Sequence, residues 1–128
     1  KNIPNNYLHF GDFDFEGINI FLNEYKKHIG NKAEFFIPNE IEKMIIEKGN
    51  SNIYNTQIYR EPILNDLSDK GLTDLIKIIH KHKKGLEQEY LINANFDYLK
   101  SIFFQILQSK ILFLLVLHLK NLMLFLFN

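Results

Sequence analysis

The chain has no cysteine, which excludes disulfides and thiolate metal sites. That absence suits a reducing compartment, and the expected location is cytoplasmic. Net charge is also missing: 15 basic side chains balance 15 acidic ones. Nothing global therefore announces a polyanionic partner, and any nucleic-acid contact has to come from a local basic face. Arginine occurs once, as Arg60, so bidentate phosphate recognition has a single candidate. No charged-then-apolar leader opens the chain, which starts at Lys1. An excerpt from a longer protein is the expectation.

What is present is a sharp local signal, Tyr7-Leu8-His9-Phe10-Gly11-Asp12-Phe13-Asp14-Phe15-Glu16-Gly17. Residues 6–10 read as a short buried strand. The strand ends in an Asp-x-Asp pair, and a glycine opens the helix that follows. Carboxylates at the C-terminal end of a strand sit where open α/β sheets place their ligands. Asp12 and Asp14 are two positions apart, so an extended backbone points both side chains the same way. Two such charges repel, and a divalent cation removes that cost. Mg²⁺ (or Mn²⁺) is the expected ion, because hard Mg²⁺ prefers one or two carboxylates plus water and phosphate oxygens. The plainer alternative is a solvated pair that only caps a turn. His9 alternates with the apolar strand residues and reads as a satisfied sheet histidine.

Further along, Ile18, Phe21, Leu22, Tyr25 and Ile29 mark one helical face. Gly30 closes it. Residues 33–37 read as a second strand ended by Pro38. Asn39 with Glu42 resembles a capping box, ahead of a short helix carrying Ile41, Met44 and Ile45. This β-α-β-α order argues for parallel strands with crossover helices. Ile53, Tyr54, Ile58 and Tyr59 suggest a short extended piece. Leu72, Leu75, Ile76 and Ile79 mark another amphipathic helix, capped by Thr73 or Ser68. It ends in the basic run His80 to Lys84, which suits a helix C-terminus. A short helix or turn over 86–91 follows, and a last helix begins near Phe96 with Asn95 as its cap.

The end of the chain is nearly all apolar from Ile111 to Phe127. A membrane span needs about 20 apolar residues with few charges. His118, Lys120 and Asn121 interrupt this stretch, and Lys near a span centre costs about 2.5–3.5 kcal/mol. A C-terminal apolar helix or tail over residues 93–128 is expected rather than a membrane anchor.

Gly11-Asp12-Phe13-Asp14-Phe15-Glu16-Gly17, between a strand and an amphipathic helix, resembles the Asp-x-Asp-x-x-Gly motif of Toprim domains, as in the A subunit of type IIB topoisomerases. The wider layout is most similar to the C-terminal Toprim domain of the Wadjet anti-plasmid nuclease subunit (JetD-like). Leu72-Thr73 opens a late helix, and Gly85-Leu86-Glu87-Gln88-Glu89 follows, as that family's Thr-capped helix and Gln-Glu pair do. The resemblance covers roughly residues 5–92, and the Toprim-like domain is expected over 1–92. It implies an α/β fold: a small parallel Toprim-like (Rossmannoid) sheet flanked by helices. It also implies Mg²⁺-dependent cutting of DNA phosphodiesters, with a site completed by a glutamate after an earlier strand. Only Lys1 to Asn6 precede the motif strand and none is acidic, so the domain is expected to lack its first strand.

On this resemblance Asp12 and Asp14 are the catalytic metal ligands, with Glu16 on the same turn. Gly17 lets the helix start approach a phosphate closely. Arg60, Lys81, Lys83 and Lys84 are candidate phosphate or DNA contacts, each with a plain surface role as its alternative. Gln88 and Glu89 match the family pair and are expected to orient the site. DNA and other protein subunits are the implied partners, and no nucleotide cofactor is evident. None of the six tyrosines has the context of a nucleophile, which favours hydrolysis by water. Two readings compete. One is a non-catalytic Toprim remnant or assembly module. The other is a haloacid-dehalogenase-type phosphatase, whose first Asp is a nucleophile. Such enzymes carry a small residue, often Thr or Val, soon after the second Asp, where this chain has Phe15-Glu16-Gly17-Ile18.

Overall fold

Tyr7–His9 forms β1 and Ala33–Phe35 forms β2, in a computed structural model that describes residues 6–64, 69–93, 100–108, 119–121 and 124. The two strands pair in parallel, with Tyr7 opposite Ala33 and His9 opposite Phe35. Parallel strands need a crossover, and a long helical segment supplies it. α1 (Phe15–Ile20) runs into a π-helical stretch (Phe21–Lys26) and a last α-helical turn, α2 (Lys27–Ile29). Gly30 then turns the chain with φ 74, a left-handed conformation that favours glycine. The expected apolar face is present, and it buries Ile18 and Phe21 most deeply.

Three further helices complete the frame: α3 (Ile41–Lys48), α4 (Ser51–Gln57) and α5 (Lys70–His82). A short α6 (Glu89–Asn93) follows. The chain divides into two compact units, Lys1–Ile92 and Asn93–Asn128. The architecture of the first is mostly helical around a small two-stranded parallel sheet, compatible with a small α/β fold. In the second unit residues 100–108 are helical, with Phe103 and Phe104 exposed. The expected helix start at Asn95–Phe96 and most of the apolar tail lie outside the described residues. Among the described residues no helix is long and apolar enough to cross a membrane.

The core of the first unit centres on Phe13, Phe15, Ile18 and Phe21. Ile45, Leu72, Leu75, Ile79 and Leu86 close around them, all essentially inaccessible to solvent. Each such side chain stabilises the fold by about 1.5–3 kcal/mol relative to exposure. Phe13 and Phe15 flank Asp14, so the acidic motif is anchored in the core on both sides.

Three local expectations are corrected. The capping box at Asn39–Glu42 does not form: the N-cap is Glu40, without a side-chain cap bond, and Ile41 N–H donates to the Pro38 carbonyl at 3.1 Å. Glu42 instead accepts from Lys81 Nζ at 2.8 Å and His82 Nε2 at 2.9 Å on α5. Two charge-assisted partners outweigh one backbone N–H, and they hold the Glu42 carboxyl below its ordinary pKa, His82 foremost. Residues 53–59 are not extended. Asn50 accepts from Asn52 N–H at 2.8 Å and starts α4, which buries Tyr54. The cap of α5 is Asp69, which accepts from Leu72 N–H at 3.1 Å, while Thr73 Oγ1 donates back to the Asp69 carbonyl. Ser68 lies outside the described residues.

His9 is also corrected. It is 7% exposed, and its Nδ1 has no hydrogen-bond partner among the described residues. Rings of Tyr25, Phe21 and Phe35 surround it at centroid distances of 4.5, 5.5 and 5.5 Å. Burial pushes its pKa below the ordinary value. The unfolded chain protonates this imidazole near pH 6.5, but the folded chain only at lower pH. Stability is therefore present above about pH 6.5 and lost as pH falls toward the folded value. Going from pH 7.5 to 5.5, the change in Tm is expected to be more negative for the wild-type chain than for a His9→Phe variant, which isolates this imidazole from other titrating groups. A His9 imidazole signal titrating at or above the ordinary range would remove this account.

Candidate acidic site at the end of β1

Asp14 has an extended backbone (φ −146, ψ 176) and is the N-cap of α1. Its Oδ1 accepts from Gly17 N–H at 2.7 Å. Its Oδ2 accepts from Gln57 Nε2 at 3.0 Å. The same Gln57 side chain accepts, through Oε1, from Glu16 N–H at 3.0 Å. One amide from α4 thus holds both the capping carboxylate and the first turn that it caps. Asp14 is only 5% exposed.

Burial raises the Asp14 pKa above the ordinary carboxyl value, and the charges of Asp12 and Glu16 add to the rise. The Gly17 and Gln57 donors oppose it without cancelling it. A raised folded-state pKa means stability is fully present below the unfolded pKa and is lost as pH rises through the folded value. At neutral pH this carboxylate is a cost to the fold, one that a nearby cation relieves.

Asp12 is half-buried. Its Oδ1 accepts from Gln88 N–H at 2.8 Å, 76 positions later. The residue between the two aspartates completes the join. Phe13 N–H donates to the Leu86 carbonyl at 2.8 Å, and Leu86 N–H donates back to the Phe13 carbonyl at 3.1 Å. This antiparallel bridge brings the segment around Gln88 and Glu89 against the acidic pair. Gly85 makes the approach feasible: a Cβ there would lie 2.8 Å from Asp14 Cβ and 2.6 Å from Ile53 Cγ2. Gly17 plays a similar part, because a Cβ there would collide with the Asp12 carbonyl oxygen. The Asp-x-Asp-x-x-Gly spacing thus has a steric cause in this chain. The helix starting at Phe15 folds back over the Asp12 backbone, and only hydrogen fits between.

The other candidates divide. Arg60 pairs with Glu16 at 3.1 Å beside the acidic turn, and its carbonyl accepts from Asn19 Nδ2 at 2.8 Å. Both charged groups of that pair are well exposed, so the pair itself adds little stability. Lys81 is on Glu42, and Lys84 Nζ donates to the Ile46 carbonyl at 2.9 Å. Lys83 ends α5 in the left-handed conformation, φ 51. No bond among the described residues joins these three lysines to the acidic pair. Glu89 starts α6 and is exposed.

Two features escaped the sequence. Gln57 fell in a stretch read as extended, and only the Asn50 cap with Tyr54 and Gln57 at i, i+3 spacing hinted at a helix. The second is a chain of polar contacts between α4 and α5. Tyr54 Oη lies 3.0 Å from His80 Nδ1, and His80 Nε2 lies 3.1 Å from Glu61 Oε1.

Among the described residues no group of three or more His, Asp or Glu side chains is placed to share one metal ion. Two carboxylates without a third ligand could serve only an ion that takes one or two carboxylates and fills its shell with water and phosphate. Asp12 is the better placed of the two, since only its Oδ1 is bonded to a described residue.

A family model described as "Domain of unknown function (DUF7281)" matches residues 1–99. No curated protein and no solved structure matches the chain. The matched region contains every element of the first unit, from β1 through the acidic turn to α6, and the chain belongs to the DUF7281 family.

Proposed function

We propose that this chain is a Toprim-like domain of a Mg²⁺-dependent DNA endonuclease, of the kind that acts against plasmids. The observation that supports the reading is the join between its two distant motifs. The Phe13–Leu86 bridge and the bond from Gln88 N–H to Asp12 bring the Asp-x-Asp turn and the Gln-Glu segment into one cluster. A turn that merely capped a helix would need no partner 76 positions away.

Asp12 and Asp14 would hold the ion, Asp12 through its less occupied carboxylate and Asp14 chiefly through charge. Bound there, Mg²⁺ would neutralise charge on the phosphate oxygens and orient the attacking water. Arg60 has only an exposed ion pair to exchange for a DNA phosphate. DNA and further subunits are the partners on this reading, and the third carboxylate comes from outside the described residues. One observation favours a second reading, a Toprim remnant that serves assembly: both Asp14 oxygens already accept N–H donors.

The test uses the full-length protein. Isothermal titration with Mg²⁺ or Mn²⁺ is expected to show uptake, and supercoiled plasmid is expected to be nicked only when the ion is present. Uptake without nicking favours the assembly module. Turnover of an aryl phosphate without nicking would favour the phosphatase. No uptake of either ion would end the nuclease reading.

A further inference from the structure

We propose that Gln57 is the positioning residue of the acidic site: its amide fixes the rotamer of Asp14 and ties it to the first turn of α1. This rests on the function proposed above and adds a residue that neither motif contains.

The wiring leaves the amide one orientation. Glu16 N–H is a donor, so the Gln57 atom facing it has to be Oε1, 3.0 Å away. Nε2 then has to face Asp14 Oδ2, where it is found at 3.0 Å. Gly17 N–H donates to the other Asp14 oxygen. The site therefore accepts only a group with two acceptors at position 14. An amide there would set Nδ2 against Nε2, and flipping Gln57 would set its N–H groups against Glu16 N–H. Side chain 14 is held on both oxygens and is nearly inaccessible. Gln57 is in turn seated by α4, whose Tyr54 is buried against Phe15 at a ring distance of 6.0 Å. Position 57 thus transmits the placement of α4 to the carboxylate beside Asp12.

The donor and acceptor roles can be exchanged. With Asn at 14 and Glu at 57, the Asn Nδ2 donates to one Glu oxygen, Glu16 N–H donates to the other, and Gly17 N–H still finds Asn Oδ1. Every bond is restored, but the charge has moved to α4. In the full-length protein, D14N and Q57E alone are each expected to lower Tm by about 4–8 °C. The D14N/Q57E pair is expected to recover most of that loss, while its Mn²⁺ affinity stays at least about tenfold weaker than wild type. Q57M keeps the bulk without the polar atoms, and it is expected to lose Mn²⁺ affinity by about tenfold or more.

Additive losses in the double variant would overturn the wiring. Recovered Tm with wild-type Mn²⁺ affinity in Q57M would overturn the positioning role and leave the proposed function standing. Absence of Mn²⁺ uptake by the wild-type protein would overturn both.

Discussion

Gly17→Ala is expected to destabilise the fold by about 3 kcal/mol, read as a lower urea midpoint at unchanged slope. The sign is what makes this informative. Exchanging glycine for alanine inside a helix ordinarily stabilises by about 1 kcal/mol. Here the added methyl would meet the Asp12 carbonyl oxygen, its carbonyl carbon 2.9 Å away and its Cα 3.1 Å away. These are backbone atoms, so no rotamer change relieves them. The Asp12 backbone is also held, through Phe13, by the bridge to Leu86. The steric cost therefore exceeds the propensity gain, and the first turn of α1 or the Asp12 peptide has to move. A Gly17→Ala protein as stable as the parent would show that the two segments are not in close approach.

On the nuclease reading proposed above, Asp12→Ala is expected to reduce plasmid nicking by about a thousandfold, corresponding to the several kcal/mol that a metal ion contributes to phosphoryl-transfer transition states. Asp12→Asn separates the two jobs of this side chain. Its Oδ1 still accepts from Gln88 N–H, so the fold is expected to stay near wild-type stability. Its charge is gone, so nicking is expected to fall about as far as in Asp12→Ala. Alanine alone leaves the Gln88 N–H without its acceptor, which costs about 1–2 kcal/mol. Nicking kept by Asn and lost by Ala would assign Asp12 to holding the segment at Gln88 rather than to the ion.

Legibility in the sequence followed the range of the interactions. A mostly apolar run located β1, although Leu8 and Phe10 are exposed and His9 is the buried residue, while β2, α3 and α5 were located by apolar residues recurring at the element's own repeat. The parallel pairing followed from their order. Caps were harder, since several side chains compete for the same orphan N–H groups. Glu42 looked like a capping partner of Asn39, but Lys81 and His82 on α5 claim it. Asp69 capped α5 in place of the residues expected. His9 read as satisfied because strand alternation says nothing about which polar atoms a neighbouring aromatic cluster excludes. The acidic pair was legible as a motif. Its wiring was not, because Gln57 and Gln88 reach it from 43 and 76 positions away and neither distance has a periodic signature.

The pairing of Phe13 with Leu86 turns almost the whole first unit into one long closed ring of chain. Closing a ring of this size carries an entropic penalty that grows only with the logarithm of its length, yet such distant partners meet late during folding. A nascent polypeptide still short of Gln88 has its acidic turn but not the backbone donor that Asp12 accepts. The acidic cluster is therefore completed only near the end of the unit's synthesis, and cleavage of the backbone between these two residues would open the ring that the Phe13–Leu86 bridge closes.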